Sequence, residues 1–203
     1  MGTVELVNIT PNAMELFKRE AGVCYQKEAT EAVIEKIRDM GHWSVFEHCQ
    51  ATFRLEISLA CLLQITRHRH LSFTVQSSRN TELKSYYKTG NKVIDRTIED
   101  EMESYAAMLN LCGPEAALYC IPKAAMYEVY VTGNFRALLE YLPKRMCQRA
   151  MKEHRDVAWK IKRILEKEYP LIFKGAFPNC AGCQDKKCAM NLYFNDKGEN
   201  KNE

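Results

Sequence analysis

Between Thr66 and Arg79 the chain gathers Arg67, Arg69 and Arg79, His68 and His70, and the hydroxyls of Ser72, Thr74, Ser77 and Ser78. An apolar core cannot absorb that many donors without a dedicated anionic partner. Arginine suits such a partner, because its planar fork grips a phosphate or carboxylate at two points. Two further segments concentrate polar side chains. Gly41 to His48 holds His42, Ser44, Glu47 and His48, and Asn134 to Arg136 is followed by Glu140 and Arg145. Taken singly, each segment also reads as a solvated polar face. Together they sketch an anion site built at the ends of regular elements, where binding groups usually sit.

The elements that must carry these groups follow from periodicity. Lys27 to Met40 has Val33, Ile37 and Met40 at helical spacing, with Gly41 as a stop. Ala51, Phe53, Leu55 and Ile57 alternate with Thr52, Arg54 and Glu56, which predicts a half-buried strand. Ser58 then caps a helix through Leu59, Leu62 and Leu63 that ends near Thr66. The arginine cluster therefore starts at a helix end and runs on as extended chain. Thr97 to Leu111 is amphipathic through Ile98, Met102, Tyr105 and Leu109, and Gly113-Pro114 closes it. Tyr127 to Thr132 fits either a strand or part of a helix. Asn134 to Leu142 reads as a helix with Pro143 as a break or kink. One long helix is predicted over Arg145 to Glu168, then irregular chain over Phe173 to Cys188. Helices and strands without regular alternation predict an α+β fold, mixed helices around an antiparallel sheet. The expected organisation is a single catalytic domain over residues 1–194, including a cysteine-bearing segment 173–190, and a polar, disordered tail over 195–203.

Composition narrows the class. The 203 residues are 46% hydrophobic and 27% charged, which supports a real core. A net charge of +3 is too mild for a general nucleic-acid binder, so none is expected as a partner. No apolar run approaches the ~18 residues that cross a bilayer, so no membrane is expected either. The N-terminal stretch lacks the charged-then-apolar pattern of an export signal. With an odd nine cysteines, that points to a reducing, cytoplasmic setting. Cys180-x2-Cys183-x4-Cys188 has a spacing that can hold a tetrahedral zinc, and a fourth ligand is needed. Cys147 is the candidate, because it precedes the tail by one helix that could fold back. Free surface thiols are the competing reading.

The three polar segments resemble one family in order, spacing and type: the flavin-dependent thymidylate synthases. Its Arg-His-Arg-x7-Ser-x-Arg signature matches Arg67-His68-Arg69, Ser77 and Arg79. Its His-x3-Phe-Glu-His element matches His42, Phe46, Glu47 and His48. Its Asn-x-Arg element matches Asn134, Arg136, Leu138, Tyr141, Leu142 and Arg145. The resemblance covers roughly Val4 to Ile172. It implies conversion of dUMP to dTMP, with methylenetetrahydrofolate as carbon donor and NADPH as reductant through FAD, in a homotetramer with active sites between subunits. It assigns FAD contacts to Ser44, Arg67, His68, Arg69, Asn134, Arg136 and Glu140, with His42 near flavin and folate. It assigns nucleotide contacts to Gln64, Arg67, Gln76, Ser77, Ser78, Arg79 and Arg145. Arg145 would be catalytic, since a cation beside uracil favours the deprotonated N3 and drives electron density to C5.

The chain departs from the family at informative places. Val75 stands where a carboxylate or amide is usual, and Leu118 replaces a nucleotide-binding arginine four residues before Pro122. One lost charge-assisted hydrogen bond costs about 1.5–3 kcal/mol, or roughly 10- to 150-fold in affinity. Lys123 or Lys144 could compensate. A different pyrimidine nucleotide, a hydroxymethyl transfer, or a non-enzymatic cysteine-based nucleic-acid module are the alternatives.

Overall fold

A computed structural model describes residues 2–178, 180, 183–185, 187, 188 and 190. The tail expected at 195–203 lies outside them. The alternating segment forms strand β2 (Gln50–Ser58), in which Ala51, Phe53, Leu55 and Ile57 are all buried. It pairs antiparallel with β1 (Thr3–Ile9) on one side and β4 (Met126–Asn134) on the other, and β3 (Leu71–Val75) pairs antiparallel with β4. The sheet order is β1-β2-β4-β3, as the α+β expectation requires. The open choice at Tyr127 to Thr132 resolves as strand. Tyr127, Val129 and Val131 of β4 stand opposite Ile57, Leu55 and Phe53 of β2 and share their buried face. Cross-strand pairs of this kind are the unit of sheet stabilisation.

The sheet belongs to a compact unit spanning Met1–Ala137, and a second unit spans Leu138–Glu203. In the first, α1 (Ala13–Gly22) buries Phe17, which meets the Phe46 ring edge-on at 5.0 Å and the Phe135 ring at 5.8 Å. Helix α2 runs over Glu31–Asp39, shorter than expected, and it buries Ile34, whereas Val33 and Met40 are exposed. Residues Lys27 and Ala29 are drawn off to bond the end of α1: Lys27 N donates to Gly22 O and Ala29 N to Lys18 O. That approach is so close that a Cβ at Gly22 would lie 1.9 Å from Lys27 O, so only glycine fits there. Gly41, with φ +75°, ends the segment as predicted.

Helix α3 (Leu59–Ile65) starts at Ser58, whose buried hydroxyl accepts the Cys61 N–H at 3.1 Å. Helix α4 (Lys92–Ala117) begins earlier than expected, because Asn91 Oδ1 caps it by accepting from Val93 N and Ile94 N. Gly113, at φ +78°, kinks α4 without closing it.

In the second unit the helix expected over Arg145 to Glu168 is two. Helix α5 (Phe135–Met146), which starts in the first unit, contains Pro143 without ending at it. The break falls after Met146, where Ala150 N turns back onto Cys147 O. Arg155 fixes the turn by donating to the carbonyls of Gln148 and Ala150 at 3.0 and 3.2 Å. Helices α6 (Lys152–Glu168) and α7 (Pro170–Phe173) follow. His154, read from sequence as an ordinary polar residue, is fully buried and hydrogen-bonds Tyr141 Oη at 3.0 Å, tying α6 to α5. Buried Lys162 pairs with Glu166 and lies 4.2 Å from the Phe177 ring centre, which fastens the chain after α7. No helix among the described residues is long and apolar enough to cross a membrane.

Ser58→Ala removes a buried cap. We expect a loss of about 1 kcal/mol and a fall in Tm of roughly 2–4 °C in thermal unfolding.

Candidate functional site

The register of the sheet decides which polar segments meet. Ala51 and Leu71 both stand opposite Gly133, and Gln50 stands opposite Asn134. The start of β2, the start of β3 and the end of β4 therefore share one end of the sheet. Each of the three polar segments joins the sheet there: His42–His48 just before β2, Arg67–His70 just before β3, and Asn134–Arg136 at the end of β4.

Local bonds hold these side chains in place. Residues Trp43–His48 form a 3₁₀ turn anchored by buried Phe46 and by Trp43 Nε1, which donates to Arg38 O at 2.7 Å. His42 and Ser44 stay exposed on that turn. Glu47 forms an ion pair with Arg136, joining the first segment to the third. Asn134 Oδ1 accepts the Ala137 N–H at 2.8 Å and so caps α5, and Phe135 N donates to Cys49 O at 2.8 Å. Gln64 and His68 are half-buried at and after the end of α3, where Arg67 N and His68 N close the turn onto Gln64 O and Ile65 O. Arg67 and Arg69 are exposed, and neither meets a carboxylate among the described residues. Beside the site, burial and the nearby Glu20 push the Cys49 thiol up to about 11. Burial likewise lifts Glu20, partly offset by His48 at 3.7 Å.

Ser77, Ser78 and Arg79 lie past the other end of β3. A five-residue strand spans about 13 Å at 3.3 Å per step. Gln76 is held on both sides there: its Oε1 accepts Glu128 N at 3.1 Å and its Nε2 donates to Thr81 Oγ1 at 2.9 Å. Thr81 and Asn80 turn back onto Ser77 O. Ser77, Arg79, Asn80, Pro114 and Glu115 line a hollow of about 370 Å³, in which Arg79 meets Glu115 at 3.5 Å. Both partners are largely exposed, so the pair is weak. Val75 is partly exposed at the end of β3, and Leu118 opens the 3₁₀ turn after α4.

Glu140 and Arg145 lie on α5 in the second unit, both half-buried. Arg145 lines a cavity of about 420 Å³ together with Cys147, Arg149, Cys180, Cys183, Asp185 and Cys188. The four candidate metal ligands thus share one cavity, although among the described residues no three His, Cys, Asp or Glu groups are set closely enough to hold a metal ion. Burial opposes ionisation of Cys147, but hydrogen bonds from the Arg149 backbone and side chain outweigh it and bring the thiol below its ordinary value. Cys180 is shifted upward by burial and then by Cys188, Cys147 and Cys183. Sequence reasoning gave no role to Arg149, Asp185 or Glu115. They carry no spacing signal, because their relevance comes from turns that periodicity does not reveal.

A family model described as thymidylate synthase complementing protein matches residues 5–171. Similar curated proteins include the flavin-dependent thymidylate synthase of Sulfolobus acidocaldarius, 36% identical over 172 residues, covering 77% of this chain and 66% of that protein. The one from Geobacter sulfurreducens is 29% identical over 203 residues, covering 87% of this chain and 88% of the relative. The chain therefore spans about two thirds of the Sulfolobus protein's length and most of the Geobacter protein's. Among solved structures, thymidylate synthase X from Helicobacter pylori, crystallised with FAD and dUMP, superposes with a TM-score of 0.79 at 21% identity, covering 87% of this chain and 99% of that one. At that identity the likeness speaks for the fold.

Asn134 and Arg69 are expected to respond oppositely to alanine. Asn134→Ala loses the α5 cap and about 1 kcal/mol in urea unfolding. Arg69→Ala, with no partner among the described residues to lose, stays within about 0.5 kcal/mol of the wild type. A large loss at Arg69 would mean that the guanidinium serves the fold and not a ligand.

Proposed function

The chain belongs to the family of flavin-dependent thymidylate synthases, and we propose on that premise that it converts dUMP to dTMP. Methylenetetrahydrofolate would supply the carbon and NADPH the reducing equivalents. The observation that carries this reading is the set of exposed guanidiniums at Arg67 and Arg69, which meet no carboxylate among the described residues, gathered with Ser44, His68, Asn134 and Arg136 at one end of the sheet. Such a cluster fits a dinucleotide pyrophosphate, and these residues together with Glu140 would hold FAD, with His42 beside flavin and folate. FAD, when bound, carries hydride from NADPH to the pyrimidine; the protein positions and polarises.

The nucleotide would take Ser77, Ser78 and Arg79 at its phosphate, where Arg79 exchanges its weak contact with Glu115 for a charge-assisted bond. Gln64, Arg67 and Gln76 would contribute further nucleotide contacts. Gln76, held by Glu128 and Thr81, also braces the turn that presents Ser77. Arg145 would lie against the uracil, stabilise the N3 anion and so raise electron density at C5. No thiol is needed as nucleophile. Val75 and Leu118 favour a second possibility, a different pyrimidine nucleotide at the same site, which product analysis separates.

The nucleotide contacts fall on both ends of β3, about 13 Å apart by strand rise. That span supports a homotetramer in which Gln64 and Arg67 of one copy meet Ser77 to Arg79 of another. We place the enzyme in the cytoplasm, where its cysteines, none joined in a disulfide among the described residues, stay reduced.

Purified protein should be yellow with FAD and should form dTMP from dUMP, methylenetetrahydrofolate and NADPH. Arg145→Ala should keep its flavin absorbance and lose roughly 10²- to 10³-fold in turnover; near-normal turnover removes the N3 role. A second expectation concerns assembly. Arg67→Ala and Arg79→Ala are each inactive alone. Co-refolded at equal amounts, they should recover about a quarter of wild-type activity by random pairing across subunits. No recovery places both arginines in a site within one chain.

A further inference from the structure

Four cysteines from two distant stretches line one cavity. Cys147 comes from the turn between α5 and α6, and Cys180, Cys183 and Cys188 come from the chain beyond α7. Each lies at the start or end of a tight turn: Ala150 N donates to Cys147 O at 2.9 Å, Cys183 N to Cys180 O at 3.1 Å, and Cys188 N to Asp185 O at 3.2 Å. Two cysteines separated by two residues across such a turn are one half of a tetrahedral thiolate site, and a second pair completes it. No disulfide joins any of the four.

We propose that Cys147, Cys180, Cys183 and Cys188 form a structural zinc site that ties the chain after α7 to the α5–α6 turn. The four thiols release their protons to solvent as the sulfur–zinc bonds form, with no change of oxidation state. The four sulfurs line one cavity but are not set at ligand geometry among the described residues, so binding would have to draw them together. Charge favours the assignment as well. Four thiolates around a divalent cation leave an excess of negative charge, and Lys144, Arg145 and Arg149 line the same cavity. An outer layer of cations and donors of this kind steadies metal-bound sulfur.

The site also has a consequence for the reading above, on which this step alone rests. Cys147 lies two residues beyond Arg145, so fixing its sulfur fixes the last turn of α5. Arg145 is then held by the metal, as a positioning effect on the nucleotide.

The test is elemental analysis of protein purified without added metal and desalted. One zinc per chain is expected. Cys183→Ser and Cys147→Ser should lose it, while Cys112→Ser, an exposed cysteine outside the cavity, should keep it. Replacement of zinc by Co²⁺ should give the visible d–d and thiolate-to-cobalt charge-transfer bands of a tetrahedral sulfur site. Equal zinc in wild type and Cys183→Ser overturns the proposal; so does iron in place of zinc, or a thiol titration showing a disulfide among the four. Far-UV circular dichroism reports folding of each variant whether or not flavin is bound. Zinc content measures the site whether or not the nucleotide reading holds. A rise in KM for dUMP with flavin retained, in the zinc-free variants, measures the bracing of Arg145.

Discussion

The pairing of β4 with both β2 and β3 is the constraint from which the rest of the arrangement follows. Val129 and Val131 face the core only if they stand opposite Leu55 and Phe53. Side chains alternate across a strand, so a slip of one residue would expose that whole set and bury Glu128 and Thr132 in its place. The cost of that exchange pins the register. The pinned register in turn brings Cys49, Leu71 and Asn134, and with them three polar segments, to one end of the sheet. The candidate site residues are thus brought together by packing of residues outside that set.

The same strand geometry separates what it does not join. Strand β3 delivers Arg67 and Arg69 to one end and Ser77 and Arg79 to the other. Both ends carry exposed guanidiniums beside hydroxyls, yet they differ in what surrounds the guanidiniums. Among the described residues Arg67 and Arg69 face no carboxylate, whereas Arg79 has Glu115 nearby. An exposed pair of this length contributes at most about 1 kcal/mol. It holds Arg79 loosely over its hollow, so the charge-assisted bonds of the proposed phosphate would displace it.

Much of this was legible in the residues. The alternation at Ala51–Ile57 and the Ser58 cap carry short-range signals, periodicity two and a hydroxyl before an apolar run, and both elements stand where those signals put them. The Arg67–Arg79 stretch stands out in sequence for a different reason, more donors than a fold uses for itself, and the structure divides it between the two ends of β3. The misreadings came from tertiary bonds. Val33 and Met40 have helical spacing, but the close approach of Lys27 to Gly22 delays the start of α2, and Ile34 becomes the buried residue. The helix expected over Arg145 to Glu168 has good propensity throughout, but Arg155 captures two carbonyls of its first turns and makes a corner there. Pro143 does not end α5, whose core face of Leu138, Leu139 and Leu142 is fully packed and outweighs one missing hydrogen bond.

That corner has a chemical consequence. An unbroken helix through residues 145–168 would carry Cys147 in a regular turn, its carbonyl committed to the helical ladder. The break frees the backbone at Cys147 to form its own turn with Ala150 and opens the cavity in which Arg145, Arg149 and the tail cysteines come together. Among the described residues beyond α7, Ala176 and Cys180 are buried and Phe177 packs near Trp159 and Lys162, while the rest are half-buried or exposed. A segment so poor in burial needs another source of order. The proposed sulfur ligation would supply it at the turn where α5 gives way to α6.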